Sequence, residues 1–372
     1  MHIARIRHLF YPDMPRDYFF ELSARQVKRG HDVDVFSWRR KGACSEEKVA
    51  EGFMIYRLNG LNLNLGGLIQ EYPYLPELPS KLETLRPDIV HGESHLFLPT
   101  VQAVMKAKKL GLPCVVTVHG VLADRGFAIN LAQNLYLSTL GSKIFKSARK
   151  VICLTRRNAN DIANFGCPME KIVIIPNAVD TNLFSPESKP NENLVVWVGR
   201  FVPEKGLDYL IEAAKLVAGS FRDVEFLLIG YGPQENRIVK LAHQCGLLGR
   251  NVRFTGKLTR FEIATILKKA AAFVFPSLSE GMPVALMEAM SSGVPIVGSN
   301  IPGVNDLVVD GVNGLLVPPR DSSSLAMAIT SLMEDPNRRK RMSASARTSI
   351  IHDYSWSSVL QKIDAVYNEI AG

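Results

Sequence analysis

Short apolar runs alternate with longer amphipathic stretches along nearly the whole chain. Residues 2–9 alternate apolar and polar and read as a first strand; 17–29 read as a helix closed by Gly30, and 32–36 as a second strand. Residues 54–58, 88–91 and 114–119 read as further strands, with a helix over 97–110 and an Asn-, Leu- and Gly-rich loop over 60–67. Residues 128–150 predict a single helix, and 151–154 and 172–175 the last strands of this half. A turn-rich connection over 175–186, then a polar stretch, changes the texture. Beyond it the rhythm resumes, with strands over 194–198, 224–229 and 270–275, a strand and loop over 252–258, and helices over 207–217 and 285–290. Two helices, 321–333 and 336–350, and a last one opened by Tyr354-Ser-Trp356 follow. This alternation implies parallel sheets covered on both faces, hence an α/β protein. The expected division is 1–180, 190–352 and a final helix over 353–372.

Composition narrows the class only a little. Of 372 residues, 47% are hydrophobic and 22% charged, ordinary for a globular chain large enough for two domains. The formal net charge of +8 favours anionic partners. No basic run is interleaved with aromatics as in a nucleic-acid reader, so nucleic acid is not expected. Five scattered cysteines suit a reducing compartment and show no metal-ligand spacing. The N-terminus has no signal-peptide apolar region, and no run reaches membrane-spanning length. A cytoplasmic protein is the expectation. Lys143, Lys146, Arg149 and Lys150 end the 128–150 helix, whose apolar positions include Leu131, Leu135 and Leu140. That helix either packs within its domain or lies on an anionic membrane, on its cytoplasmic face.

The chemistry gathers where strands end. In an open α/β sheet, ligands bind at the carboxyl edge of the strands. Glu280 falls in the loop after strand 270–275, and Glu288 inside the following helix. Eight helical residues span ~12 Å, whereas a glycosidase pair stands roughly 5–9.5 Å apart. The two glutamates therefore suit two parts of one long ligand. Arg200 and Lys205 follow strand 194–198 just before a helix N-terminus, a natural diphosphate site, and Gly206 allows close backbone approach. His119 stands directly after Val118, at the same kind of edge in the first half. His91, Glu93 and His95 follow the preceding strand, while Arg7, His8 and Arg16 suit either an anionic acceptor or a plain surface. These histidines lack a third ligand set, so no metal is expected. Asp32-Val33-Asp34 spells D-x-D, but at the start of a strand, away from any ligand edge. Gly230-Tyr-Gly232-Pro233 is not a full GxGxxG, which leaves a dinucleotide weakly supported.

Ser279-Glu280-Gly281-Met282-Pro283-x4-Glu288 resembles the Glu-x7-Glu signature of retaining glycosyltransferases of family 4, which have the GT-B fold. The Arg200 to Gly206 stretch resembles that family's donor-phosphate signature, and 175–186, 298–303 and 310–319 also match it. The resemblance implies two Rossmann-like doubly wound domains with a cleft between them, and a C-terminal helix crossing back to the first. It implies His119, Arg200, Lys205 and Glu280 as the catalytic set. Donor contacts would come from Arg200, Lys205, Gly256, Lys257, Leu258, Glu280, Gly281, Met282, Pro283, Val284 and Glu288. Gly256 to Leu258 would hold the base, Glu288 the ribose, and Glu280 with the backbone of 281–284 the sugar. Arg7, His8, His91, Glu93 and His95 would face the acceptor. The implied partners are a UDP-, GDP- or ADP-sugar and a hydroxyl acceptor that is lipid-linked, a saccharide or a small metabolite. The reaction would retain configuration by front-face attack, with no cofactor and no metal.

Three departures stand out. Phe10-Tyr-Pro-Asp-Met-Pro-Arg16 replaces the family's glycine pair, Ala178 replaces a usual glycine, and Asn305-Asp306 stand where glutamate is common. Two rival readings remain. One is a nucleotide-sugar 2-epimerase or phosphorylase on a related fold; the other is a non-catalytic nucleotide-sugar- or glycan-binding partner subunit.

Overall fold

A parallel strand buried on both faces needs apolar side chains in near-continuous runs, and this chain supplies two sets of them. The computed structural model describes all residues except 11–17, 64–71, 122–126 and 187–190. The chain divides into two units, Met1–Pro176 with Leu360–Gly372, and Asn177–Val359. Arg16 and most of the unusual loop after the first strand lie outside the described residues.

The first unit holds an eight-stranded sheet. Its spatial order is Ile172–Ile174, Lys150–Cys153, Cys114–Val118, Ile89–Glu93, His2–Ile6, Asp32–Trp38, Met54–Leu58 and Glu46–Lys48. All neighbours are parallel except the last pair. Ile3 pairs with Val33 on one side and Ile89 on the other, so the chain order reverses at His2–Ile6. That reversal makes the carboxyl ends of His2–Ile6 and Ile89–Glu93 the expected ligand crevice of this sheet. Asp34 lies near the opposite end of its strand and accepts a bond from His2 Nε2 at 2.8 Å.

The second unit holds six strands, all parallel, in the order Val252–Gly256, Glu225–Ile229, Leu194–Val198, Ala272–Phe275, Ile296–Ser299 and Gly314–Val317. The order reverses between Leu194–Val198 and Ala272–Phe275, where Val195 pairs with Ala272. Its core gathers Trp197, Phe201, Phe226 and Val274 with Leu210, Ile211 and Ile329 from covering helices.

The structure breaks the helix expected over 128–150. Phe127–Tyr136 is α-helical, Leu137–Gly141 widens into a π turn, and Ser142–Ser147 resumes the helix. Thr139 Oγ1 donates back to the carbonyl of Leu135 at 2.7 Å, a bond that competes with the regular ladder. The helix stops at Ser147 because Arg149 N is captured by Cys114 O at 2.8 Å, and Lys150–Cys153 joins the sheet. The edge strand Glu46–Lys48 was not expected either, since three charged residues show no alternation. At the other end, Pro336–Tyr354 runs longer than expected before Trp356–Ala371 begins.

Candidate active site

In the second unit, two neighbouring strand exits are stitched together at the reversal point. Pro203–Lys205 forms one 3₁₀ turn, closed by Gly206 at φ 63. A Cβ on Gly206 would lie 2.1 Å from the carbonyl oxygen of Pro276, so only glycine fits there. Leu278 N donates to Glu204 O at 2.7 Å, joining the turn to the next exit loop. Lys205 Nζ is thereby brought to Glu280 Oε1, to which it donates, and stands 5.2 Å from the centroid of the Phe275 ring. The Lys205 side chain is 21% exposed and that of Glu280 9%, so the pair borders solvent rather than sinking into the core. Arg200, at the exit of Leu194–Val198, is exposed and pairs with no acid among the described residues.

The backbone around Glu280 is pressed into place from two sides. A Cβ on Gly303, at φ 84, would come within 2.5 Å of Gly281 O. Asn177 Nδ2 donates to Met282 O at 3.0 Å. Helix Val284–Ser291 then starts after Pro283 with no side chain capping its first N–H groups. Such orphan donors, with the helix dipole behind them, attract oxygen-rich or anionic groups.

Glu288 is held apart from this pair. Thr259 and Glu262 form a capping box that starts helix Arg260–Leu267. The helix so placed lets Arg260 donate from Nη2 to Glu288 Oε1 at 3.1 Å. Burial pushes the Glu288 carboxyl up to about 7, even though Arg260 draws it down. Gly256 O accepts from Gly230 N at 2.9 Å, so the Gly256 to Leu258 backbone lies beside the neighbouring strand exit. Lys257 is exposed, with Nζ 5.7 Å from the Tyr231 ring centroid.

In the first unit, the histidine after Cys114–Val118 belongs to a buried polar network. His119 Nε2 and Glu93 Oε2 are 3.0 Å apart, and the other Glu93 oxygen accepts from Arg5 Nη1. Arg5 also donates to Gln26 Oε1. His91 bonds Thr117 Oγ1 at 2.7 Å through Nε2 and the Tyr367 hydroxyl through Nδ1. His119 remains 24% exposed, while Arg5, His91 and Glu93 are buried. Burial would raise the Glu93 carboxyl, but His91, Arg5 and His119 together draw it well below the usual carboxylate range. Burial lowers His91 to about 4, so its ring is neutral at ordinary pH.

Of the remaining acceptor candidates, Arg7 and His95 are buried and His8 is half-buried. His95 is fully buried, with its ring 5.5 Å from that of Phe145, and burial lowers it to about 3. His8 stacks on Phe97 at 3.4 Å, and burial, then Arg7 and Arg40, lower it to about 3. Arg7 lies over the Phe19 ring. The structure thus joins Lys205 to Glu280 and His119 to Glu93, and it pairs Glu288 with Arg260. Arg5 and Arg260 were missed by sequence reasoning. Arg5 was signalled by its place inside an apolar strand, where an unpaired charge is intolerable. The Thr259 to Glu262 capping box signals the helix that begins at Arg260, but nothing in the sequence marks Arg260 itself as the partner of Glu288.

Sucrose-phosphate synthase from Thermosynechococcus elongatus superimposes with a TM-score of 0.78 at 20% identity, over 99% of this chain and 98% of that one. HepE of Anabaena, solved with UDP and glucose, gives 0.78 at 20% identity over 99% of this chain and all of that one. Both likenesses define the GT-B fold. Residues 179–349 match the family described as Glycosyl transferases group 1, and residues 17–183 that described as Glycosyltransferase Family 4. An Escherichia coli UDP-Gal:alpha-D-GlcNAc-diphosphoundecaprenol alpha-1,3-galactosyltransferase is 31% identical over 320 residues, 81% of this chain and 80% of its own. Glycogen synthase of Mycobacterium tuberculosis is 29% identical over 289 residues, 76% of this chain and 69% of its own. The chain belongs to the group 1, family 4 glycosyltransferases, and it is a glycosyltransferase with the GT-B fold.

Proposed function

We propose that this glycosyltransferase moves a sugar from a nucleoside-diphosphate sugar to a hydroxyl acceptor with retention of configuration. The observation that carries the reading is the Lys205–Glu280 pair beside the uncapped start of helix Val284–Ser291. Each member of the pair holds the place of a ligand group. A diphosphate would draw the Lys205 ammonium, with Arg200 beside the same strand exit as a second cation. Sugar hydroxyls would donate to the freed Glu280 carboxylate. As the bond at the anomeric carbon breaks, negative charge grows on the diphosphate and the two cations stabilise it. Because the protein supplies these cations, the reading calls for no metal. Glu288 would accept hydrogen bonds from the ribose, and the Gly256 to Leu258 backbone would meet the base. His119, at the carboxyl edge of the first unit's sheet, would face the hydroxyl acceptor. HepE, solved with UDP-glucose, lends support to a UDP-sugar.

Lys205→Ala and Arg200→Ala test this directly. Each should lower turnover by roughly a hundredfold or more while leaving the melting temperature nearly unchanged. Near-normal turnover in both, measured as nucleoside diphosphate released in the presence of acceptor, would refute the assignment. An acceptor at an anionic membrane is favoured by one further observation. Leu131, Leu135 and Leu140 are 59, 66 and 43% exposed, just before the exposed Lys143, Lys146 and Arg149. Among the described residues no helix is long and apolar enough to cross a membrane, so such contact would be peripheral.

A further inference from the structure

His119 meets Glu93 through one nitrogen only, and that choice has chemical content. An ionised carboxylate can only accept hydrogen bonds. Glu93 has one oxygen on Arg5 and the other on His119 Nε2, and no proton donor of its own is needed for either contact. His91 Nε2 lies 3.7 Å from Glu93 Oε1, but it is already bonded to Thr117. With Glu93 ionised, the neutral His119 ring must carry its proton on Nε2. Nδ1 then bears the lone pair and is left for a ligand.

We infer that Glu93 is the positioning residue of His119: ionised against Arg5, it fixes the Nε2–H tautomer and leaves Nδ1 as a hydrogen-bond acceptor. The ring thus offers an acceptor, not a donor, to a hydroxyl brought to the carboxyl edge of the first unit's sheet. The geometry stands without any activity, but its use in transfer rests on the reading of His119 given above. Among the described residues, the charged and titratable groups facing Glu93 are Arg5, His91, His119 and the Tyr367 hydroxyl, and those facing His119 are Glu93, His91 and His95. The Phe19 ring packs edge-on to His119 at 5.0 Å and adds no charge.

The test is nitrogen-15 NMR of the histidine rings in the full chain, with His119 assigned by loss of its signals in His119→Asn. The neutral wild-type ring should show a protonated Nε2 and a bare Nδ1. In Glu93→Ala, which removes the acceptor facing Nε2, the fixed tautomer should be lost and a population with a protonated Nδ1 should appear. A bare Nε2 in the wild-type protein overturns the inference, as does an unchanged Nε2–H tautomer in a folded Glu93→Ala protein. Should that variant fail to fold, the wild-type tautomer alone decides. None of these readings depends on turnover. A His119→Asn protein with full activity would instead overturn the catalytic reading of His119 and leave the tautomer result standing.

Discussion

Glu288 is a carboxylate that the fold would rather keep protonated. Burial raises it from its ordinary 4.5 to about 7. Its contribution to stability is therefore complete below 4.5 and is lost as pH rises through 7. The ionised form accepts hydrogen bonds from ribose hydroxyls more strongly than the neutral acid, so the proposed contact gains from the same change. Nucleoside diphosphate affinity should rise roughly tenfold between about pH 6 and about pH 8. Calorimetry should find that slope removed in Glu288→Gln; a wild-type affinity that is flat with pH would exclude Glu288 from the ribose. The residue is also a case of partial legibility. Its spacing from Glu280 was plain in the sequence. Its partner Arg260 was not, because the two are 28 positions apart and meet only through helix packing.

At the scale of elements, what matters is how closely two strand exits approach. Gly206→Ala would place a methyl against Pro276 O and strain a left-handed residue. The turn must then lift away from the Pro276 to Glu280 loop and carry Lys205 off Glu280. A loss of ~1–3 kcal/mol in stability is expected, with turnover falling as far as in Lys205→Ala. Denaturant melts and an activity assay check both; wild-type values would show that the approach is not needed. Elements of this kind were legible where the chain is apolar and regular. Cys114–Val118 and Met54–Leu58 match runs visible in the sequence. Legibility failed where hydrogen bonding overrides periodicity. The π turn at Leu137–Gly141 and the capture of Arg149 by Cys114 leave no mark on the spacing of leucines around them. The burial of His91 and His95 was likewise hidden, since a strand-end histidine reads the same whether it faces in or out.

For the whole molecule, the net charge of +8 sets the kind of surface it can meet. With the exposed leucines and basic residues near 131–149, it should bind vesicles containing anionic lipid at low salt and release them at high salt. Flotation measures this. Replacing Leu131 and Leu135 by Ser should reduce binding several-fold without changing the fold, as both are exposed. Equal flotation with neutral and anionic vesicles, or none with either, would remove the proposed contact.

The last stretch of a chain is ordinarily expendable. Here residues 360–372 cluster with the first unit, and the Tyr367 hydroxyl closes a bond on His91, beside the carboxylate that steers His119. A protein shortened by those thirteen residues would therefore lose more than a frayed end. It would uncover the buried His91 imidazole, and a truncation made only to help crystallisation would be recorded, wrongly, as a catalytic defect.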